Sequence, residues 1–238
     1  MSLASVRYVA RVRKYVTLCL ALGLGCTSSR AASPANSAPP VETAELATAS
    51  DSVASLLLTD VQSLDSSIRV ELRYATPNNF TGSPLPGYQA NRALLQHEPA
   101  RALAKVARDL RSAGLALLVY DAYRPVRATD AMMEWTRRAG RQDLVRNGYI
   151  ASRSRHNLGA AIDLTLVDAS TGQALDMGTP FDTFSEDAHT ANASETSAMS
   201  RQRLVQAMER HGFANYEKEW WHFSYPVTRE VRMDLIIR

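Results

Sequence analysis

The sequence predicts an α+β fold: a compact single domain with a central antiparallel sheet flanked by helices. Two observations carry this. Short runs with apolar residues at alternate positions are interleaved with longer runs at helical spacing, and the order is irregular, unlike repeating strand–helix–strand units. At 238 residues, 45% hydrophobic and 21% charged, the composition is that of a globular domain with a sizeable core.

The elements follow in chain order. Residues 1–25 open with a basic stretch holding Arg7, Arg11, Arg13 and Lys14, then an apolar run that ends before Cys26. That run is far shorter than the roughly 20 residues a bilayer span needs, so a secretion signal is expected. The small residues of L-G-L-G-C resemble a lipoprotein processing site in which Cys26 would be lipidated, although Leu24 sits one place closer to the cysteine than usual. The expected product is exported and periplasmic, touching the membrane only through an N-terminal lipid. Residues 26–50 are rich in Ala, Ser, Pro and Thr and read as a tether. The folded domain is expected over 51–238.

Within it, Ile68, Val70, Leu72 and Tyr74 alternate with polar residues and predict a half-buried strand. The turn-rich T-P-N-N-F-T-G and P-L-P-G follow. Pro99 opens a helix with Leu103, Val106, Ala107 and Leu110 on one face, closed by Gly114. L-A-L-L-V-Y is an apolar central strand ending at D-A-Y-R-P. There Pro125 starts a second helix with Met132 and Trp135 on its buried side. Ala161–Val167 is a further strand, Arg201–His211 a third helix ended by Gly212, and W-W-H-F-S-Y a last central strand.

Charge and cysteine content exclude some functions. The formal charge of +3 turns slightly negative once the basic N-terminal segment is set aside, which removes any electrostatic case for nucleic acid. Cys19 lies inside the signal, so Cys26 alone would remain and no internal disulfide is possible. The domain must be held by its core, or by a core and a metal.

Of five histidines, His97 and His211 sit at helix ends and His189 in a polar loop. His156 and His222 differ, because each has an acid nearby: Asp163 after the first, Glu219 before the second. Two imidazoles and a carboxylate make the protein part of an open zinc site, and a further carboxylate suits the general base. Asp163 fits the ligand role and Glu219 the base. One geometric condition attaches. On a strand, positions i and i+3 face opposite ways. Glu219 and His222 therefore share a site only if the chain bulges at Trp220–Trp221, or if Glu219 belongs to the preceding loop. The structural alternative makes both tryptophans core residues and His222 a buried, hydrogen-bonded one; spacing alone leaves the two readings level. Arg124, at a strand end, suits oxyanion stabilisation or, alternatively, an ion pair with Asp121.

Taken together, R-Y-A-T-P-N-N-F-T-G (73–82), D-A-Y-R-P (121–125), S-R-H-N-L-G-A-A-I-D-L-T-L (154–166), M-G-T-P-F-D (177–182) and E-W-W-H (219–222) resemble the zinc D-alanyl-D-alanine dipeptidases of the VanX type. The resemblance runs from about Leu57 to Tyr225. It implies one Zn2+ per chain on His156, Asp163 and His222, and hydrolysis of D-Ala-D-Ala by a metal-bound water with Glu219 as general base. It further implies Arg124 on the tetrahedral intermediate, and Tyr74, Ser154 and Asp182 lining the substrate pocket. Asp182 would pair with the free ammonium of the dipeptide. The alternative within the same chemistry is a D,D-carboxypeptidase trimming peptidoglycan stem peptides. Arg155, and Asn157–Leu158, depart from the residues common in relatives and bear on substrate choice.

Overall fold

The computed structural model describes residues 46–238. The expected signal, Cys26 and the tether up to residue 45 lie outside the described residues. The last part of that tether lies against the domain: Thr48 bridges to Arg232, and the Ala49 amide donates to the Arg232 carbonyl at 2.8 Å.

The sheet grows around two strands. β4 (Leu115–Asp121) and β5 (Ala161–Asp168) are buried almost end to end, as their unbroken apolar runs require of strands covered on both faces. They pair antiparallel, and β7 (Glu219–Ser224) pairs antiparallel with the other edge of β5. β6 (Ala214–Tyr216) closes that side. β2 (Arg69–Val70) adds to β4 in the sole parallel pairing of this sheet, giving the order β2-β4-β5-β7-β6. A separate antiparallel pair joins β1 (Leu58–Asp60) to β3 (Leu94–Gln96). The predicted α+β class with an antiparallel-dominated sheet is what the chain adopts.

Helix α1 (Asp51–Leu57) is capped by the Ser50 hydroxyl, and the short α2 (Val61–Leu64) by the Asp60 carboxylate. Helix α3 (His97–Arg111) buries Leu103, Val106, Ala107 and Leu110, the face its spacing predicts. It begins two residues before Pro99, which occupies the first turn, where a missing amide costs nothing. Helix α4 (Val126–Arg138) follows Pro125 and buries Met132, with Trp135 half-buried. Helix α5 (Gln142–Arg146) follows it. Helix α6 (Glu195–Glu209) starts well before the expected Arg201, because its first turns carry Ser, Thr and Glu and show no apolar stripe. α3 and α6 pack on each other, α3 against β4 and α6 against β5.

The predicted strand at 68–74 is shorter than its pattern. Ile68, Leu72 and Tyr74 are buried as alternation demands, yet ladder pairing stops at Val70. There the Asn91 side chain takes the place of a neighbouring strand. Its amide donates to the Val70 carbonyl at 2.8 Å, and its oxygen accepts from the Leu72 amide at 2.8 Å. The chain then turns through a 3-10 segment at Arg73–Ala75 that aims Tyr74 inward.

Candidate active site and metal-ligand cluster

A row of side chains crosses the sheet at one level. Asp163 on β5 is register partner to Asp121 on β4 and to His222 on β7. His156 comes in from the connection ahead of β5. It lies on a 3-10 turn, Arg155–Leu158, whose first amide bond is capped by Ser154: the His156 amide donates to the Ser154 hydroxyl at 3.2 Å. Gly159 ends this turn at φ +62, a left-handed conformation that disfavours any side chain. A β-carbon there would also lie 2.7 Å from Leu58 Cδ2 and 3.2 Å from the Gln96 amide nitrogen. This glycine lets one short segment deliver both His156 and Asp163.

The ring of His156 is fully buried, and its Nδ1 donates to the Ala122 carbonyl at 2.6 Å. That bond fixes the tautomer and leaves the Nε2 lone pair facing the cluster, the usual arrangement of a metal-ligating imidazole. Nε2 lies 3.2 Å from His222 Nδ1 and 3.4 Å from Asp163 Oδ1, and His222 Nδ1 lies 2.9 Å from the same carboxylate oxygen. One ligand atom from each of the three residues falls within 4.8 Å of the others. Among the described residues this is the only such group of three. Two neutral-capable imidazoles and a carboxylate, one ring locked from behind, are a donor set that fits zinc.

Glu219 reaches the same cavity because β7 bulges. Asn215 pairs with Phe223, yet the next residue, Tyr216, pairs with Glu219, so residues 220–222 are taken up in the bulge. The Asn215 side-chain amide stitches it, donating to the Glu219 carbonyl at 3.2 Å and the His222 carbonyl at 3.0 Å. Glu219 Oε2 thus lies 3.9 Å from His222 Nδ1. The condition set by the sequence is met at Trp220–Trp221. Both tryptophans are also core residues, at 2% and 1% exposure, so this half of the structural alternative holds as well.

Electrostatics separate the carboxyls. Burial and the charges of Asp163 and Asp182 push Glu219 well above the usual carboxylate range. Burial opposes ionisation of Asp163 too, but His156 and His222 outweigh it and hold this carboxyl low. Burial pushes the His222 imidazole down, which favours the neutral form that ligates.

Arg124 makes the ion pair that the sequence offered as its alternative. It pairs with Asp121, Nη2 to Oδ2 at 2.7 Å, and Asp121 also accepts from Tyr88 at 2.6 Å. So braced, the guanidinium reaches to 3.7 Å from Asp163 Oδ2 and lies 5.0 Å from the centre of the Tyr74 ring. Tyr74 in turn donates to Asp182. Asp182 is the one described non-glycine residue with positive φ, at 60°, which turns its carboxylate inward. Burial and nearby Asp163 push its carboxyl well up.

These groups line a cavity of about 270 Å³. Its wall includes Tyr74, Arg124, Ser154, His156, Asp163, Asp182, Glu219 and His222, every residue singled out from the sequence. Tyr149, Phe184 and Tyr216 also line it and carried no sequence signal. Arg155 lies in the wall too, with its guanidinium held by the Tyr225 carbonyl at 2.7 Å and Glu230 at 3.1 Å. Asn157 buttresses the Arg124 turn, donating to the Arg124 carbonyl and the Thr129 hydroxyl, both at 2.9 Å. The remaining histidines have local partners: His97 the Leu56 carbonyl, His189 the Tyr149 hydroxyl, His211 the Asp109 carboxylate.

Comparison with known proteins agrees over the whole domain. The D-ala-D-ala dipeptidase family profile matches residues 54–233. The D-alanyl-D-alanine dipeptidase of Enterococcus faecium is 38% identical over 171 residues, 66% of this chain and 85% of the relative. That of Enterococcus faecalis is 36% identical over 181 residues, covering 68% and 90%. The Escherichia coli relative is 39% identical over 171 residues, covering 71% and 84%.

Proposed function

This chain belongs to the D-ala-D-ala dipeptidase family of metallopeptidases, and from that premise we propose that it hydrolyses D-Ala-D-Ala to two D-alanines with one zinc ion per chain. The observation that carries the reading is the Asp182 carboxylate set in the same small cavity as the His156–Asp163–His222 cluster.

Those three residues would hold the metal, which supplies a Lewis acid at the scissile carbonyl and makes water more acidic. Everything else falls to side chains of the chain. Glu219 takes the proton of the attacking water and returns it to the leaving amine nitrogen. Its raised pKa suits it to both directions of transfer, a contribution of about 10²–10⁴-fold. Arg124, held by Asp121, presents its guanidinium to the developing oxyanion. Asp182 receives the substrate ammonium and Tyr74 orients that carboxylate. Ser154 lines the wall while capping the His156 turn. Buried Trp221 and half-buried Phe184 shield the reacting groups from bulk water.

A half-buried carboxylate at the amine position discriminates. An N-acylated substrate cannot supply the ammonium and leaves Asp182 without its partner. The basic and apolar N-terminal segment ending at Cys26 supports export to the periplasm with lipid as the only membrane contact, which makes the substrate a free dipeptide or a small peptidoglycan fragment there.

The test is release of D-alanine by the zinc-loaded chain from D-Ala-D-Ala, N-acetyl-D-Ala-D-Ala and a stem pentapeptide ending in D-Ala-D-Ala. Turnover of the free dipeptide alone is expected. Equal turnover of the acylated substrates would make the chain a D,D-carboxypeptidase and remove Asp182 from its role.

A further inference from the structure

Arg201 is one of the largest fully buried side chains in the domain, at 1% exposure, and it lies on α6, outside the active-site wall. A buried guanidinium is normally compensated by a carboxylate, because desolvating an uncompensated charge is costly. Among the described residues Arg201 makes no ion pair within 4.0 Å, and the Asp176 and Asp187 carboxylates act on it only from farther off. Instead its three nitrogens each donate to a backbone carbonyl: Nε to Met177 at 2.8 Å, Nη2 to Asp187 at 2.9 Å and Nη1 to His189 at 2.6 Å.

Those carbonyls stand at the two ends of one loop. Residues 178–186 between them carry Phe181 and Asp182, and also Phe184. The loop has little regular structure of its own, only the 3-10 turn that begins at Glu186. The Phe181 ring packs against Tyr120 and Trp221, the Phe184 ring against Phe80 and Tyr149. At the first shoulder, Gly178 has φ +81, and a β-carbon there would lie 2.9 Å from Ser197 Oγ and 3.3 Å from Arg201 Nη2. The loop can approach α6 this closely only because position 178 is glycine. One planar fork thus gathers both ends of the loop that bears the amine-binding carboxylate.

We propose that Arg201 is a positioning residue for substrate selection: by clamping both shoulders of the 178–186 loop to α6, it sets where Asp182 stands in the cavity. This rests on the dipeptidase reading for its consequence in catalysis, and on the geometry alone for the clamp. Lysine cannot replace it, because a compact ammonium on a flexible stem does not span three carbonyls held by a rigid fork.

The experiment compares the wild-type chain with Arg201→Lys and with Gly178→Ala, which keeps the charge but pushes the first shoulder away. Amide hydrogen exchange over residues 181–186 is measured first, beside exchange in β4 and β5. Faster exchange confined to the loop in either variant is expected. Steady-state kinetics follow: KM for D-Ala-D-Ala should rise about tenfold or more with kcat changed less than about threefold, since ground-state binding of the amine is what loosens. The preference for D-Ala-D-Ala over its N-acetyl form should shrink in parallel. In an Asp182→Ala background the Arg201→Lys change should leave KM the same within about twofold, the non-additivity expected of a residue acting through another.

Unchanged loop exchange in both variants overturns the clamp, whatever the substrate. Exchange that rises equally in β4 and β5, with additive effects on KM, makes Arg201 a general stability residue and also overturns it. If Arg201→Lys does not fold, Gly178→Ala decides by the same readouts. A wild-type chain inert towards D-Ala-D-Ala defeats the substrate reading, and the exchange comparison still decides the clamp.

Discussion

The Tyr74 hydroxyl donates to both oxygens of Asp182, at 3.1 and 3.3 Å. This bond works against burial and the Asp163 charge, which together push the Asp182 carboxyl well above its ordinary value. An ammonium binds the ionised form, so below the raised pKa substrate must displace a proton first. KM for D-Ala-D-Ala should therefore fall as pH rises through the Asp182 pKa. In Tyr74→Phe the favourable bond is gone, the carboxyl moves higher still, and this limb of the KM profile should shift to higher pH. Asp182→Asn should raise KM throughout and abolish the limb. A pH-independent KM in the wild-type chain would sink the assignment.

Metal occupancy should be visible in stability. A cation that binds only the native state stabilises it by mass action, and two histidines and Asp163 are in place to bind one. Chelation is expected to lower the Tm by several degrees or more, at about 2–4 °C per kcal/mol for a domain this size, with recovery on adding zinc. His156→Ala should bind less than one equivalent by elemental analysis and show no chelator response. Identical melting of chelated and zinc-loaded wild type counts against the cluster as a metal site.

Glu219→Gln keeps the volume of the side chain and removes its proton transfer. Zinc content should stay at one per chain while kcat falls about 10²–10⁴-fold. Turnover within a few-fold of wild type would take Glu219 out of the reaction.

Asn215 predicts a separable effect. Its amide holds the Glu219 and His222 carbonyls, and its oxygen accepts from Thr190 at 2.6 Å. Asn215→Ala should cost about 1–3 kcal/mol of stability, since each net hydrogen bond contributes about 0.5–1.5 kcal/mol. Because the bulge then relaxes, kcat should drop further than KM changes. Asn215→Asp should be worse, as a carboxylate would face two carbonyls with nothing to donate. Loss of stability with unaltered kcat would confine Asn215 to a structural role.

The candidate site was legible because its residues sit in short motifs: taken singly, His156, Asp163, Glu219, His222 and Arg124 each had a structural alternative, and only the motifs taken together pointed to one site. The long central strands were equally plain, since β4 and β5 are buried on both faces and cannot avoid continuous apolar runs. What the sequence hid was mostly held by backbone carbonyls. Asn215 and Arg201 act on main-chain oxygens, which every residue possesses, so nothing in the partner's identity marks the contact. β6 has three residues, too few for a period, and none of the three is fully buried. The strand at 68–74 looked longer than it is because Asn91, distant in sequence, replaces a neighbouring strand beyond Val70.

The offset between β6 and β7 also bears on how this family of chains is free to diverge. Glu219 and His222 depend on a count of residues, because removing Trp220 or Trp221 would carry Glu219 to the opposite face of the sheet while both site side chains stayed chemically intact. Insertions and deletions are therefore excluded from this segment even where substitutions are tolerated. The turn at 169–172, where the Asp168 carboxylate gathers the amides of Ser170 and Thr171, faces no such arithmetic. Relatives should vary in length there, at the far end of β5 from Asp163, and keep the spacing from Glu219 to His222 fixed.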